Sequence, residues 1–443
     1  MQDMHILHVP YTFAPDPMGG TEVYVAGLAA ALKLHGFISD IAAPAYINQS
    51  YDYNGIPVHR FAQSSSPAFA HAYGEPDETA AASFRKLVDR LKPRIVHLHA
   101  RTSAVSERLT DIAHEAGAKV VFTYHTPTVS CARGTMMRMD NEPCNGRLNT
   151  FRCTTCNLAR YDVPAGVREI LSAVPEFAGR MLGFIDLSGG LWTAMRMSAL
   201  VSEGHQRFCA LMEKADRVVA VCDWVADVLR LNGVPENKLV LSRQGLLGTP
   251  SSGRRLERNP RQPLRLAYFG RIDWTKGIDI LIEALAQIPE ALVTLDVYGV
   301  NQPGSDPYFA GLCGMAANDS RIVFHATVPP DDVVATMYAY DLVAVPSRWL
   351  ETGPLVVLEA FAAGTPVLGA RLGGIAELVT HDVDGLLVVP GDPIAWSEAI
   401  GSLAATPDRI EELRRGIGPP RSMEDAAADM AALYCKLLNE VSA

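Results

Sequence analysis

The chain has 443 residues, of which 48% are hydrophobic and 20% are charged, and its formal net charge at pH 7 is −10. This length exceeds what one hydrophobic core usually holds, so we expect two domains. The acidic balance argues against nucleic acid as a partner, because binding to the phosphate backbone depends on clustered Lys and Arg.

The start of the chain, MQDMHILHV, carries an early acid and enters a short strand almost at once, unlike a secretory signal peptide. No run of about 18 apolar residues predicts a transmembrane helix. Eight cysteines without an export signal are typical of a reducing compartment. We therefore expect a cytoplasmic protein.

Predicted strands and helices alternate along the chain in two series. The first series of strands is predicted at 5–9, 94–99, 119–124, 217–221 and 238–242. The second series is predicted at 264–269, 292–298, 321–324, 341–346, 366–369 and 386–389. Helical periodicity separates most of them, as in 22–34 and 279–287. This alternation predicts an α/β fold with parallel, doubly wound sheets.

A segment rich in Pro, Gly, Ser and Arg, GTPSSGRRLERNPRQP, lies between the two series at 248–263. Its composition is typical of an interdomain linker. We therefore predict a Rossmann-like N-terminal domain over 1–247 and a Rossmann-like C-terminal domain over 264–422. The last stretch, 423–443, is predicted as a helix.

Two features of the first domain are candidates for ligand contact. Gly19 and Gly20 follow the first strand in the sequence MGGTE, and paired glycines let a backbone approach a ligand closely. A simple tight turn is the alternative. His125 follows the strand at 119–124, at the end where open α/β sheets bind ligands, and a histidine satisfied within the core is the alternative there.

A cysteine-rich insertion near 126–160 interrupts the first domain. It contains Cys131, Cys144, Cys153 and Cys156, and the last two have the C-x2-C spacing of a zinc knuckle. Four thiolates would complete a structural zinc site, which would hold a loop with too few apolar residues to fold alone. Free thiols, a disulfide and an iron–sulfur cluster are the alternatives.

A helical insertion near 161–210 mixes arginines with large apolar side chains. One interpretation is a segment that faces the acceptor or makes peripheral contact with a membrane, since basic amphipathic helices bind at such interfaces. The other interpretation is a pair of ordinary helices packed on the N-terminal domain. We favour ordinary helices, because Glu169, Glu176 and Asp186 interrupt the basic face.

The second domain opens with a strand–turn–helix corner, LRLAYFGRIDWTKGIDILIEAL at 264–285. An apolar strand runs to Gly270, then Arg271 and Lys276 follow, and after Gly277 a helix has apolar residues at i, i+3, i+4 and i+7. Arg binds phosphate oxygens bidentately and Lys adds a point charge. The corner therefore suits a diphosphate.

The segment SRWLETGPLVVLEAFAAG at 347–364 places two carboxylates eight positions apart. Pro354 is predicted as the first residue of a helix, because its fixed φ and missing N–H suit that position. Glu351 then lies in the loop before the helix and Glu359 lies inside it. The free N–H groups of the first turn would bind a phosphate. The carboxylates would hold hydroxyls at the two ends of a nucleotide sugar.

Together these residues resemble the retaining glycosyltransferases of family four, which have the GT-B fold of two Rossmann-like domains facing a central cleft. Glu351 and Glu359 match the E-x7-E motif of that family, and Arg271 with Lys276 matches its G-R-x(4)-K-G corner. The MGGTE loop matches its glycine loop, and His125 matches the histidine at the end of a strand facing the cleft. The resemblance also implies that the last helix packs back on the N-terminal domain.

The resemblance implies a nucleoside diphosphate sugar donor, an acceptor bound by the N-terminal domain, and retention of anomeric configuration. The implied donor-binding residues are Gly19, Gly20, Arg271, Lys276, Glu351, Thr352, Gly353, Pro354, Leu355 and Glu359. The implied catalytic residues are His125, Arg271, Lys276 and Glu351. Because Arg271 and Lys276 would replace a divalent cation, no catalytic metal is expected.

Polysaccharide or lipid-linked glycan assembly is the favoured setting. The acceptor is then a glycan, a lipid-linked sugar or a small molecule, and the protein would lie in the cytoplasm or at the inner face of the membrane. One alternative is a glycosyltransferase acting on a natural product or small metabolite. Another is a non-catalytic protein of the same fold that binds a sugar nucleotide or a glycan. A dinucleotide oxidoreductase is disfavoured, because no G-x-G-x-x-G follows the first strand.

Overall fold

The computed structural model describes residues 4–65, 71, 73–139, 142–184, 189–248, 262–301 and 306–440. The chain divides into two compact units, one formed by Met1–Gln244 with Met423–Ala443 and the other by Gly245–Ser422. The first unit thus ends at Gln244 rather than at 247, and the last helix belongs to it. Most of the predicted linker at 248–263 lies outside the described residues.

The first unit contains short strands, most of which are apolar. They are β1 (Met4–Val9), β2 (Phe37–Ala45), β3 (Gln49–Tyr53), β4 (Ile56–Ala62), β5 (Ile95–Leu98), β6 (Lys119–Tyr124), β7 (Met137–Arg138), β8 (Glu142–Pro143), β9 (Arg217–Ala220) and β10 (Leu239–Leu241). Strands β7 and β8 form a separate hairpin. The other eight form one sheet in the order β10-β9-β6-β5-β1-β2-β4-β3. All its neighbouring strands are parallel except β3, which runs antiparallel to β4.

The second unit is a fully parallel sheet. Its strands are β11 (Leu264–Ile272), β12 (Val293–Asn301), β13 (Ile322–His325), β14 (Leu342–Val345), β15 (Val367–Ala370) and β16 (Gly385–Val388). They lie in the order β13-β12-β11-β14-β15-β16. The strand order reverses between β11 and β14, which are neighbours in the sheet. In open α/β sheets, ligands bind beyond the carboxyl ends of the strands at such a reversal.

Helices connect most of the parallel strands. They are α1 (Gly20–Ala31), α2 (Glu78–Leu91), α3 (Glu107–Glu115), α4 (Thr150–Ala159), α5 (Ala165–Ser172), α6 (Glu176–Phe184), α7 (Gly190–Lys214), α8 (Asp223–Leu231), α9 (Ile278–Gln287), α10 (Asp306–Ala316), α11 (Val333–Met337), α12 (Leu355–Ala362), α13 (Gly373–Leu378), α14 (Pro393–Ala405), α15 (Pro407–Gly416) and α16 (Met423–Asn439). Aspartates start two of them: Asp77 accepts from the N–H groups of α2 and Asp392 from those of α14. None of the described helices is both long and apolar enough to cross a membrane.

Hydrophobic cores lie on the two faces of the first sheet. One core contains Phe84 of α2 and Leu211 of α7, both fully buried. The other contains Leu28 of α1 and Tyr434 of α16, which packs edge-on against Phe37 at 5.6 Å. Because helices cover both faces, the predicted doubly wound α/β fold is confirmed.

Strands β2, β3 and β4 and the β7–β8 hairpin are not predicted from the sequence. Pro44 within β2 and the polar sequence QSYDY of β3 obscure the strand pattern there. A usable signal is nevertheless present, because Asn54 and Gly55 join β3 to β4 with φ values of 52° and 76°. Both central residues therefore have the left-handed conformation that makes Asn-Gly the strongest short hairpin signal.

Candidate active site

The predicted Arg–Lys corner lies at the reversal point of the second sheet. Arg271 is one of the last residues of β11, and Lys276 ends the short 3-10 turn Trp274–Lys276. Gly277 follows with φ +71°, and a Cβ atom at this position would lie 2.2 Å from the carbonyl oxygen of Pro346. Only glycine therefore lets the start of α9 approach the end of β14 so closely.

Lys276 and Glu351 form a close ion pair across this corner. Lys276 Nζ lies 2.5 Å from Glu351 Oε1, and the Ser347 hydroxyl donates to the same oxygen at 2.8 Å. Both side chains are mostly buried. Burial alone would raise the pKa of Glu351, but the charge of Lys276 and these hydrogen bonds hold the pKa below its usual value. Glu351 is therefore ionised at neutral pH.

The Trp349 ring lies close to both cationic side chains, Arg271 and Lys276. Lys276 Nζ lies 5.1 Å from the centre of the Trp349 ring and Arg271 Cζ lies 5.9 Å from it, both within cation–π range. Within the described part of the chain, no carboxylate lies within 4.0 Å of the Arg271 guanidinium. The Lys276 charge is balanced by Glu351, whereas the Arg271 guanidinium has no such partner and is available to bind an anion.

The segment after Glu351 leads into α12. Pro354 has φ −69° and ψ 108°, so it is the residue before the helix and Leu355 is the first helical residue. The prediction that Pro354 is the first helical residue is wrong by one position, because its ψ is extended. Pro354 makes no side-chain capping bond. The first N–H groups of α12 are thus left without a side-chain cap from that residue.

Glu359 lies inside α12, as predicted, and its side chain is half-buried. Burial raises the pKa of Glu359 to about 7. The carboxyl group is therefore balanced between its neutral and ionised forms near neutral pH. A ligand that donates hydrogen bonds to it would favour the ionised form.

Two glycines that the sequence analysis does not single out support the Glu351 loop. The N–H of Gly374 donates to the carbonyl oxygen of Glu351 at 2.6 Å. A Cβ atom at Gly373 or at Gly374 would lie 2.9 or 2.8 Å from that same oxygen. The pair Gly373-Gly374 at the start of α13 is the sequence signal that could have revealed this close backbone contact.

Gly19 and Gly20 lie at the start of α1 in the first unit. The Gly19 N–H donates to the Glu22 carboxylate at 2.8 Å, and Glu22 is 5% exposed. A side chain of the chain itself thus occupies the anion-binding position at this helix start. The predicted contact of Gly19 and Gly20 with the donor stays a prediction.

His125 follows β6 and is buried within a line of histidines. Its Nε2 lies 3.0 Å from His99 Nδ1, and its Nδ1 lies 3.2 Å from the amide nitrogen of Gln244. His99 Nε2 in turn lies 3.1 Å from His8 Nδ1. Burial lowers the pKa of His125 to about 3, so the ring is neutral. Both ring nitrogens are engaged inside the unit, and the catalytic role of His125 stays a prediction.

A pocket of about 620 Å³ lies in the first unit, lined by residues that follow β1, β4, β5 and β6. Its lining includes the arginines Arg60, Arg101, Arg133 and Arg160, whereas Asp16 is the only acid among the described lining residues. Asp16 pairs with Arg60 at 2.5 Å. The pocket is therefore basic although the whole chain carries a formal charge of −10.

Two of the four cysteines of the insertion, Cys131 and Cys144, lie in the segment between β6 and α4. Cys131 also lines the pocket, and Cys153 and Cys156 lie on α4. All four are half-buried free thiols.

Two family profiles match the chain. Residues 19–177 match the "Glycosyl transferase 4-like domain" and residues 254–418 match "Glycosyl transferases group 1". D-inositol 3-phosphate glycosyltransferase of Xylanimonas cellulosilytica is 33% identical over 175 residues, which are 39% of this chain and 42% of the relative. The same-named protein of Corynebacterium efficiens is 37% identical over 169 residues, 35% of this chain and 40% of the relative. The chain thus spans about two fifths of the length of these relatives.

Solved structures share the fold along nearly the whole chain. Sucrose-phosphate synthase from Thermosynechococcus elongatus has a TM-score of 0.69 at 19% identity, covering 99% of this chain and 100% of that one. The Anabaena protein HepE, in complex with UDP and glucose, has a TM-score of 0.59 at 16% identity and covers 99% of each chain. These likenesses show the fold, and the two profiles carry the family. The chain thus contains a glycosyl transferase 4-like domain at residues 19–177 and a glycosyl transferases group 1 domain at residues 254–418.

Proposed function

We propose that the protein is a retaining glycosyltransferase that moves a sugar from a nucleoside diphosphate sugar to an acceptor hydroxyl. The observation that carries this proposal is the pairing of Lys276 with Glu351 beside an unbalanced Arg271, at the reversal point of the second sheet. Such a corner combines a carboxylate for sugar hydroxyls with cations for a diphosphate. Glycosyltransferase relatives and the UDP bound to HepE support the same assignment.

The site residues of the second unit each have a proposed role in the transfer. Arg271, Lys276 and the N–H groups at Thr352, Gly353 and Leu355 bind the diphosphate, Pro354 sets the start of α12, and Glu359 accepts hydrogen bonds from the ribose hydroxyls. Glu351 accepts from a hydroxyl of the transferred sugar. Negative charge grows on the diphosphate as the sugar departs, so donors already in position stabilise the transition state more than the ground state.

The bond changes of the proposed transfer balance without a further reactant. The acceptor oxygen forms a bond to the anomeric carbon, while the bond from that carbon to the diphosphate oxygen breaks. The acceptor proton passes to the departing diphosphate. Attack from the same face as the leaving group retains the anomeric configuration, and the positive charges of Arg271 and Lys276 take the place of a divalent cation.

The basic pocket of the first unit is the proposed acceptor site, and its charge favours an acceptor that bears phosphate or carboxylate. Arg160 is exposed and, among the described residues, lies within 4.0 Å of no carboxylate. The Nδ1 atom of His71 is buried in the same pocket without a hydrogen-bond partner among the described groups. An anionic group would satisfy both. The phosphorylated compound in the name D-inositol 3-phosphate glycosyltransferase, which two relatives carry, fits this chemistry.

The acceptor proposal is tested by comparing inositol 3-phosphate with unphosphorylated inositol as acceptors. We expect transfer to the phosphorylated compound alone and a several-fold rise in its KM for Arg160→Gln. Arg85→Gln, whose arginine pairs with Glu115 at 2.6 Å on another surface, is the matched control and should leave KM unchanged. Equal use of both acceptors would exclude an anionic requirement.

The helical insertion carries the proposed contact with the inner face of a membrane. Ile170 of α5 is 71% exposed, and Phe177 and Met181 of α6 are 68% and 64% exposed. Apolar side chains at such positions can enter a bilayer interface. Cosedimentation with phosphatidylcholine–phosphatidylglycerol vesicles should fall strongly for the double variant Ile170→Ser/Phe177→Ser. Unchanged cosedimentation would contradict the contact.

The donor proposal is tested by thermal unfolding with UDP, GDP, ADP, TDP and CDP, on the wild-type protein and on Glu359→Ala. A ligand at about a hundred times its Kd stabilises a protein by about 2.7 kcal/mol, which is a measurable rise in Tm. We expect one nucleotide to raise the Tm of the wild type and not of the variant. If none does, the non-catalytic alternative, in which the fold binds another glycan ligand, is favoured.

A further inference from the structure

We propose that Cys131, Cys144, Cys153 and Cys156 bind one structural zinc ion, which fixes a wall of the basic pocket in the first unit. This inference does not depend on the proposed glycosyl transfer. It rests on where the fold places the four thiols, on the hydrogen bonds around them, and on the packing of the loop that carries them.

The four cysteines converge from three separate pieces of the insertion. Cys131 follows the short turn Pro127–Val129, and Cys144 directly follows β8 of the hairpin. Cys153 and Cys156 lie one turn apart on α4, so they share one face of that helix. None of the eight cysteines of the chain is paired in a disulfide. A hairpin and a helix that each present thiols are a usual scaffold for a structural zinc site.

The thiols lie within electrostatic range of one another. Cys131 and Cys144 both act electrostatically on Cys153 and on Cys156. Four thiolates in one half-buried place repel each other strongly unless a cation lies among them. A zinc ion supplies that charge and binds sulfur at about 2.3 Å.

Backbone N–H groups already point at two of the sulfur atoms. The Gly146 N–H lies 3.5 Å from Cys144 Sγ, and the Met139 N–H lies 3.5 Å from Cys156 Sγ. Donors of this kind stabilise metal-bound thiolates and orient them. Gly146 has φ +75°, and a Cβ atom there would lie 2.4 Å from a methyl group of Val228. The turn that directs an N–H at Cys144 is therefore fixed by its packing.

The loop and the pocket wall are one structure. Cys131, Arg133 and Gly134 all line the basic pocket, and Arg133 Nη1 donates to the Cys156 carbonyl oxygen at 2.9 Å. No three of the four sulfur atoms, all described, lie within 4.8 Å of one another. A zinc tetrahedron brings them to about 3.8 Å, so binding would draw the loop onto α4 and order the wall.

A second group of metal-binding side chains, His8, His97 and His99, does come within 4.8 Å. Both ring nitrogens of His97 are already bonded, Nδ1 to Tyr434 at 2.6 Å and Nε2 to Thr123 at 2.7 Å. All three rings are fully buried between the two cores of the unit. Five of the six ring nitrogens in this group are therefore engaged within the core, and only His8 Nε2 has no hydrogen-bond partner among the described groups. The cysteines are the better metal site.

The test is the metal content of the purified full-length protein, measured by mass spectrometry of the elements, with thiols counted under denaturing conditions without reductant. We expect one zinc per chain and eight free thiols after the metal is removed. Cobalt substitution should give the thiolate charge-transfer band of a tetrahedral sulfur site. Cys153→Ser and Cys144→Ser should each lose the zinc, while Cys313→Ser, which changes an exposed cysteine of the second unit, should retain it.

Nucleotide binding by the second unit shows whether a variant that has lost zinc is still folded. Cys153→Ser should lose zinc and still show the nucleotide-dependent Tm rise of the wild type, because that site lies in the other unit. The inference would be overturned if the wild-type protein contained no zinc or contained iron in place of zinc. It would also be overturned if fewer than eight free thiols were counted, since each disulfide removes two. Zinc that persists in both Cys144→Ser and Cys153→Ser would overturn it as well.

Discussion

Replacing Glu359 by Gln should make nucleotide affinity lose its response to pH near neutrality. Burial raises the pKa of Glu359 to about 7 in the free protein, so at about pH 8.5 it is ionised and at about pH 5.5 about 3% is ionised. If the ribose hydroxyls donate to this carboxylate, the ligand binds the ionised form more tightly and lowers the pKa in the complex. Affinity therefore rises with pH through about 7.

The size of the effect follows from the strength of the hydrogen bonds. A bond to a charged acceptor contributes about 1.5–3 kcal/mol and a bond to a neutral acceptor about 0.5–1.5 kcal/mol. The difference, about 1.4 kcal/mol, is a tenfold difference in affinity. Gln resembles the protonated carboxyl group. The ratio of the Kd of Glu359→Gln to that of the wild type should then fall from about ten at pH 8.5 to about one at pH 5.5.

The assay is isothermal titration calorimetry with the nucleoside diphosphate that raises the Tm, at several pH values. The terminal phosphate of the ligand itself titrates at about pH 6, so the ratio between variant and wild type is used, because it cancels that contribution. Glu283→Gln, an exposed glutamate on α9, is the matched control and should give a ratio near one throughout. A ratio for Glu359→Gln that does not change with pH would refute the ribose contact.

Two further substitutions test the contacts that hold the site together, namely the Lys276–Glu351 ion pair and the close approach of Gly277 to Pro346. Lys276→Met should lower the free energy of unfolding by about 3–5 kcal/mol, because it leaves a buried carboxylate without its partner, and urea denaturation should show much of this loss regained in Lys276→Met/Glu351→Gln. A loss below about 1 kcal/mol would mean that the pair is solvated. Gly277→Ala should cost about 2 kcal/mol or more from its left-handed φ and its contact with the Pro346 carbonyl. Gly311→Ala, in open space on α10, should stabilise the protein by about 0.5–1 kcal/mol in the same urea denaturation. Equal effects of Gly277→Ala and Gly311→Ala would contradict the close approach of Gly277 to Pro346.

The residues that sequence reasoning places well are those with local signals. The corner from Arg271 to Gly277 and the segment from Glu351 to Glu359 combine an apolar strand, a turn and a helical period, each readable within about 20 residues. These two segments lie side by side because of the order of the strands in the sheet. The alternation of strands and helices predicts the fold class but not that strand order. The direct bond between Lys276 and Glu351 depends on that order and cannot be derived from spacing alone.

What sequence reasoning misses depends on contacts between distant residues. Gly373 and Gly374 matter because their backbone touches the Glu351 loop, a contact made only after β14 and β15 pair. The engagement of both His125 nitrogens requires His99 and Gln244, which come from other strands and loops. The basic pocket likewise collects arginines from four distant places in an acidic chain.

The central claim is that the second unit binds a nucleoside diphosphate through Arg271, and the most direct test compares nucleoside diphosphate with monophosphate. Titration calorimetry should show tighter binding of the diphosphate by the wild type, and Arg271→Gln should remove most of that preference while the monophosphate binds nearly as before. Arg409→Gln, which changes a half-buried arginine on α15 paired with Asp382, should keep the preference. A wild type that binds both nucleotides equally, or an Arg271→Gln protein that keeps the full preference for the diphosphate, would contradict the account.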